Sequence, residues 1–401
     1  MTHYQELHSP CFIFDEAEFK RGICGFRDAL KKRFQQVDIG YSVKTNSLPY
    51  ALRMARYNGC MAEVVSHDEY ELALLCGFSP DKIIYNGPLK SQTTAIQVIM
   101  RGGEGGGGIM NIETKRELEW LKELPRNRNF SVGVRLNINI SHISPEDADG
   151  DDDNSRFGFS DESGEFADAL NYIESLPNVS LAGLHIHRTA HSRSPRFYRR
   201  SVEYAASVIK KYNLSLDYLD VGGGYFGIFP NKPTFCDYAE ALYTPLAQHG
   251  LEHLRIIIEP GNALTASSFS FLSSVIDVKK VDTHTRFVTT DGSRNDIDPF
   301  FHKSDYIKEI LPRSGNRPIE PLQIVTGCTC LEYDRMFTLI DKPRLETGDR
   351  ILYHNVGAYT MTLSPQFIRL WPRVYSRNEE GVCREVRRPS CAADIIALDK
   401  L

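Results

Sequence analysis

The chain has no run of eighteen consecutive apolar residues, no excess of positive charge and no paired cysteine spacing, and each absence removes a class of protein. Without such a run there is no candidate transmembrane helix. Residues 1–10 are polar and lack the basic-then-apolar layout of a secretory signal, so the expectation is a cytoplasmic protein with no membrane partner. A formal net charge of −5 gives no electrostatic footing for nucleic acid. Nine cysteines, odd in number and scattered, fit reduced thiols rather than a disulfide framework. The one close pair, Cys328-Thr329-Cys330, has no second ligand cluster in the sequence, and no metal is expected.

What is present is an ordinary globular composition: 401 residues, 41% hydrophobic and 25% charged, long enough for a full core and two domains. Small-molecule chemistry is the class left standing. Short apolar runs fall at residues 38–43, 61–65, 82–85, 108–111, 130–137, 181–187, 216–221 and 255–258. Helical spacing recurs between most of them, at 50–57, 68–76, 91–101, 114–121, 165–176, 197–212 and 236–249. This rhythm predicts a (β/α)8 barrel over 36–264, with a doubly wound sheet as the alternative that pattern alone allows. After Ala263 the rhythm changes. Strand-like segments at 287–290, 322–325, 350–355 and 367–375 lack regular helices between them, which predicts a mostly β domain over 265–401. Residues 1–35 supply a leading strand and a helix, and that strand could rejoin the β domain. The glycine run 102–108 and the acidic insertion 146–154 read as loops.

Unusual polar residues recur at one phase of this pattern. Lys44, Glu63, Asn86, Arg135, His187, Gly222-Gly223-Gly224 and Glu259 each stand at or just past the end of a different strand candidate. In a barrel those ends converge on the face where catalysis is found. Singly, each has a bland explanation: Lys44 and Arg135 as solvated charges, His187 as a core histidine, the glycines as a turn. Their shared phase is what those explanations leave out. Lysine beside other cations or in a dry pocket can attack a carbonyl and hold it covalently. The three glycines lack the spacing of a dinucleotide site, yet they let backbone amides approach a phosphate, and Gly261 offers a second such turn.

The ordered set Tyr41-Ser42-Val43-Lys44-Thr45-Asn46, Glu63-Val64-Val65-Ser66, Gly183-Leu184-His185-Ile186-His187, Asp220-Val221-Gly222-Gly223-Gly224, Glu259-Pro260-Gly261, Cys330 through Asp334 and Gly357-Ala358-Tyr359 resembles the fold-type III pyridoxal-phosphate decarboxylases. That family includes diaminopimelate, ornithine and carboxynorspermidine decarboxylases. The resemblance implies an alanine racemase-like TIM barrel followed by a β domain, with pyridoxal 5'-phosphate as cofactor. It implies that Lys44 holds the cofactor covalently, that His187 lies against its ring, and that Glu259 faces the ring nitrogen. Gly223, Gly224, Gly261 and the adjoining Asn262 would cradle the phosphate, with Tyr359 reaching it from the second domain. Glu63 and Arg135 would line the cofactor pocket. Cys330 would help to reprotonate the product, and in the family it comes from the other subunit of a head-to-tail homodimer.

The departures narrow the substrate. Asn262 stands where many relatives have arginine, which removes a cation from the phosphate site. The segment His187-Arg188-Thr189-Ala190-His191-Ser192 departs from His-x-Gly-Ser, leaving Ser192, Arg188 or neither as a phosphate contact. Leu331 replaces an acidic residue that reads a distal amine, as in carboxynorspermidine decarboxylases. Asp298 stands near where diaminopimelate enzymes carry the arginine for a distal carboxylate. With Asp298, Leu331 and Asp334 as the substrate positions, the expected reaction is decarboxylation of an α-amino acid with a specialised distal group, in polyamine or secondary metabolism, and meso-diaminopimelate is not favoured. The alternatives are racemisation on the same fold and a non-catalytic cofactor-binding protein. Racemases of this fold carry arginine where Glu259 stands, and a mere binding protein would have no use for Lys44, Cys330 and Tyr359.

Overall fold

Ile256, Ile257 and Ile258 are three successive side chains with no exposed surface, a pattern that only a strand covered on both faces can satisfy. Each such burial contributes about 1.5–3 kcal/mol of hydrophobic free energy. These residues belong to a closed parallel barrel in the computed structural model, which describes residues 4–102, 108–148, 155–188 and 190–399. In chain order the strands are β1 (Cys11–Asp15), β2 (Val37–Ser42), β3 (Met61–Ser66), β4 (Ile83–Leu89), β5 (Ile109–Ile112), β6 (Phe130–Arg135), β7 (Val179–His185), β8 (Tyr218–Asp220) and β9 (Arg255–Ile258). Strands β2 to β9 close on themselves, with Val37 opposite Ile256 and Ile39 opposite Ile258 at the seam.

The chain divides into two compact units, Lys20–Leu264 and Met1–Phe19 with Thr265–Leu401. In the barrel unit, four helices start where the sequence supplies a hydroxyl. Ser66 Oγ accepts from the Glu69 amide, Thr114 Oγ1 from Glu117, and Ser194 Oγ from Phe197 ahead of a helix that has Pro195 in its first turn. Thr234 and Asp237 form a reciprocal capping box. Such caps stabilise a helix by about 1 kcal/mol each. They fix where each helix leaves the barrel mouth and therefore where the strand-end residues point.

The other unit contains a nine-stranded sheet. Its further strands are β10 (Phe269–Lys280), β11 (Thr285–Thr290), β12 (Lys308–Leu311), β13 (Ile319–Thr326), β14 (Arg335–Pro343), β15 (Arg350–His354), β16 (Arg373–Arg377) and β17 (Cys383–Arg387). The path runs β14-β13-β11-β10-β1-β16-β17, and β15 joins β10 to β12. The leading strand does rejoin the β unit: β1 pairs antiparallel with β10 and parallel with β16. Cys11, Ile13, Leu272 and Leu352 share one core cluster there.

Lys44 sits just past β2, in the 3-10 turn Val43–Thr45, at the strand end the sequence pattern gave it. One expectation changes in detail. The segment expected as a strand over 367–375 is extended only from Arg373, because Ile368 has φ 67, which interrupts an extended run, and Pro372 offers no amide for pairing. Most of the glycine run and of the acidic insertion, and Thr189, lie outside the described residues. Among the described residues no helix is long and apolar enough to cross a membrane.

Candidate active site

Barrel topology brings the strand-end residues into one polar cluster. Lys44 Nζ lies 2.5 Å from Glu63 Oε2 and 2.9 Å from Ser42 Oγ, and Ser42 donates to the same carboxylate oxygen at 2.7 Å. The lysine side chain is 32% exposed while that of Glu63 is 1% exposed. The amine is therefore reachable, and the anion that orients it is not.

Glu63 is linked to Glu259 by a single amide. Asn86 Nδ2 donates to Glu259 Oε1 at 2.5 Å and to Glu63 Oε1 at 3.4 Å. On the far side of Glu259, its Oε2 is 3.6 Å from His185 Nε2, and Asp220 completes a trio of buried side chains whose candidate ligand atoms lie within 4.8 Å of one another. Burial, and then the negative charge of Glu259, push the Asp220 carboxyl well above the usual carboxylate range, so Asp220 is held neutral. Burial, and then the Arg135 charge, push His185 well below the usual histidine range. A neutral imidazole, a neutral carboxyl and an amide thus surround one carboxylate, which suits a site built to present that carboxylate to a cationic ring.

His187 lies just beyond β7, and its Nδ1 accepts from the Gly223 amide at 3.0 Å. That bond leaves the proton of the neutral ring on Nε2. Burial, and then Arg135, depress its basicity well below the usual range. Arg135 donates to the His187 carbonyl at 3.0 Å and to Glu113 Oε2 at 2.6 Å, and its guanidinium lies over the Phe157 ring. Glu113 is in turn 3.4 Å from Lys90, which is 3.0 Å from Glu117, all three side chains being essentially inaccessible. Arg135 therefore acts as a brace for His187.

The glycine turns are dictated by space. A Cβ on Gly222 would stand 2.3 Å from His187 Nδ1, one on Gly223 2.3 Å from the Glu259 carbonyl oxygen, and one on Gly261 2.0 Å from Thr45 Oγ1. Gly222 and Gly224 also have positive φ, of 67° and 94°. Tyr198 OH donates to the Gly223 carbonyl at 3.0 Å, tying this loop to the helix Pro195–Lys211. The Gly223 amide, expected at the phosphate, is engaged here by His187 Nδ1. Asn262 opens the short helix Asn262–Thr265 and is partly exposed. Ser192 is exposed and accepts from the Ser194 amide.

The remaining expected residues belong to the β unit. Cys330 is exposed and, with Leu331, Thr329 and Phe287, lines an open concavity of about 380 Å³. Tyr359 is 43% exposed and has φ 56, a left-handed conformation that costs a non-glycine residue about 1–2 kcal/mol. Asp298 and Asp334, expected to face substrate, are both hydrogen-bonded to neighbouring groups. Asp298 accepts from Arg294 at 2.7 Å, Tyr306 OH at 3.1 Å and the amides of His302 and Lys303. Asp334 accepts from Thr329 Oγ1 at 2.6 Å, Ser293 Oγ at 3.0 Å and the Arg294 amide at 3.0 Å. Both carboxylates shape loops.

Sequence reasoning put Asn86 among the strand-end residues without a task and gave no role to Asp220, His185, Glu113 or Lys90. Glu113 stands one residue past β5, so the strand-end phase that selected Arg135 selects it as well. Asp220 and His185 are the last residues of β8 and β7 and carry the same signal.

The chain is similar to known proteins over nearly its whole length. It is 28% identical over 394 residues to the probable chloroplastic diaminopimelate decarboxylase of Oryza sativa subsp. japonica, covering 95% of this chain and 77% of that protein. It is 28% identical over 407 residues to the diaminopimelate decarboxylase of Campylobacter jejuni, covering 99% and 97%. In fold it resembles the M. jannaschii diaminopimelate decarboxylase crystallised with L-lysine, with a TM-score of 0.83 at 22% identity over 99% of this chain and 93% of that one. Residues 23–266, more than half of the chain, match the family model for the pyridoxal-binding domain of pyridoxal-dependent decarboxylases. The chain belongs to the pyridoxal-dependent decarboxylase family, whose members are carboxy-lyases that use pyridoxal phosphate.

Proposed function

We propose that this enzyme decarboxylates an α-amino acid whose distal end differs from the free amino-carboxylate end of diaminopimelate, and that its site is the cluster around Lys44, Glu63, His187 and Glu259. The observation that carries the assignment of the site is the pairing of a reachable amine with a buried carboxylate at one edge and a second buried carboxylate, Glu259, reached through Asn86. This donor set fits pyridoxal phosphate: an amine for its aldehyde, a carboxylate for its ring nitrogen, a neutral imidazole for its ring face, and turns in which a Cβ would collide. When bound, the cofactor supplies an electron sink for the pair released as CO2 departs.

The chain's own groups then have distinct tasks. Lys44 binds the cofactor, with Glu63 and Ser42 orienting its amine. Glu259 holds a proton at the ring nitrogen through a charge-assisted hydrogen bond. His187 covers the ring, braced by Arg135. Gly224, Gly261 and Asn262 form the phosphate cradle. Cys330 delivers a proton to the product, and it does so across the interface of a head-to-tail homodimer.

Two positions support the choice of substrate. Asp298 is a carboxylate, engaged by Arg294, Tyr306 and two amides, so its position offers a distal carboxylate an anion in place of a cation. Leu331, on the wall of the Cys330 concavity, offers no carboxylate to a distal ammonium. Diaminopimelate itself is the second reading, favoured by the names of the relatives. The test is to incubate the purified holoenzyme with a panel of amino acids, including diaminopimelate, lysine, ornithine and carboxynorspermidine, and to measure CO2 and product amines. Turnover of diaminopimelate above all others would overturn the proposed distal specificity. Release of no CO2 from any α-amino acid, with conversion between enantiomers instead, would overturn decarboxylation.

A further inference from the structure

The polar interior of the barrel contains a directional chain that ends on Glu259. Tyr218 OH donates to Asn111 Oδ1 at 3.0 Å, and Asn111 Nδ2 donates to Asn86 Oδ1 at 2.8 Å. Asn86 is left with its two N–H groups, one directed at Glu259 and one at Glu63. Each link fixes the next. A side-chain amide can present either its oxygen or its nitrogen to a neighbour, and two carboxylates demand the nitrogen. The Tyr218 hydroxyl selects one orientation of Asn111, which selects one orientation of Asn86.

Space for this chain is reserved by two glycines. A Cβ on Gly133 would lie 2.1 Å from both Asn111 Oδ1 and Tyr218 OH, and one on Gly183 would lie 2.4 Å from the Tyr218 ring. Tyr218, Asn111 and Asn86 are all buried, so none of these bonds is exchanged for water. Burial also pushes the Tyr218 hydroxyl well above its usual range, which keeps it a donor. The four residues come from four strands, β4, β5, β8 and, for Glu259, the end of β9, so only the closed barrel assembles them.

We propose that Asn86 is a positioning residue for the decarboxylation, acting as a two-headed donor that fixes Glu259 relative to Glu63, with its orientation set from Tyr218 through Asn111. This rests on the reading above that Glu259 serves the ring nitrogen and Glu63 the cofactor lysine. Without the donor, Glu259 loses the Asn86 amide that ties it to Glu63, so its carboxylate is no longer fixed relative to the cofactor lysine.

The test uses the full-length holoenzyme and its apo form, with pyridoxal phosphate as the probe. Removing a hydrogen bond to a charged group predicts that Asn86→Ala raises the Kd for pyridoxal phosphate, titrated by absorbance, roughly tenfold or more and lowers kcat by a similar factor. The substrate KM should stay within about twofold, since the residue acts on the transition state through Glu259. Tyr218→Phe deletes only one hydroxyl two links away and should show the same split, with a loss of about threefold to tenfold. The double variant should be no worse than Asn86→Ala alone, because Tyr218 acts through Asn86. Independent, additive losses would overturn the relay, and so would a Tyr218→Phe protein with unaltered Kd and kcat. That variant decides the matter if Asn86→Ala does not fold. Failure of the wild-type protein to bind pyridoxal phosphate would instead count against the proposed site itself, so the two failures are distinguishable.

Discussion

Asp220 and Glu259, at the ends of the adjacent strands β8 and β9, bring carboxyl oxygens within 4.8 Å of each other in surroundings where neither residue is more than 3% exposed. Two charges cannot be held together there without water. Burial and the nearby Glu259 therefore push the Asp220 carboxyl well above the usual carboxylate range. The sign of the resulting pH dependence follows. Because the folded protein holds a proton that the unfolded chain has released, Asp220 favours folding at acid pH. That contribution is lost as pH rises from the ordinary Asp range toward the raised folded value. Asp220→Asn mimics the neutral form at every pH. The apo variant should melt at or above the wild-type temperature at about pH 8, with the advantage shrinking toward about pH 4. A variant that melts well below wild type at about pH 8 would contradict a neutral Asp220.

Glu259→Gln tests the other member of the pair. It keeps the shape and the Asn86 contact site but removes the charge, and it should slow decarboxylation about 10²- to 10³-fold, the scale of losing one electrostatic group in a dry site. Melting curves should show that the fold is retained. Unchanged turnover would remove Glu259 from the chemistry.

The barrel was legible because strands covered on both faces give short unbroken apolar runs, as at residues 256–258, and because such a run leads into a polar residue of the site, here Glu259. The β unit was less legible. Strand β10 begins with buried phenylalanines but ends in exposed charges, and β14 and β17 are largely exposed, so their residues follow no single period. Partner choice was not legible at all. Asn86 and Glu259 are 173 positions apart and meet only through barrel closure, and nothing in the sequence pairs Asp298 with Tyr306.

Lys90 is an inaccessible cation between Glu113 and Glu117. Lys90→Met leaves two buried carboxylates without it and should destabilise the protein by about 3–5 kcal/mol in denaturant melts, as expected when one partner of a buried pair is removed. Burial alone would raise the Glu113 carboxyl, but Lys90 and Arg135 together hold it below its usual value. Its stabilising contribution is therefore present above about pH 4.5 and lost as pH falls through the lower folded value. The Lys90→Met protein should show a weaker loss of stability over that acid range.

Assembly is tested by complementation. If Cys330 of one subunit serves the Lys44 site of the other, mixing inactive Lys44→Ala and Cys330→Ala proteins under subunit exchange gives heterodimers with one intact site. Random exchange should restore about a quarter of wild-type activity, since half the dimers are mixed and each has one good site of two. With exchange verified separately, no recovery would mean that Cys330 serves its own chain or no site.

The central claim is that Lys44 carries the cofactor, and borohydride reduction of the holoenzyme followed by peptide mapping tests it most directly. A pyridoxyl label on the peptide containing Lys44, absent from Lys44→Ala protein, is the predicted result. A label on another lysine, such as the buried Lys90, would contradict the account.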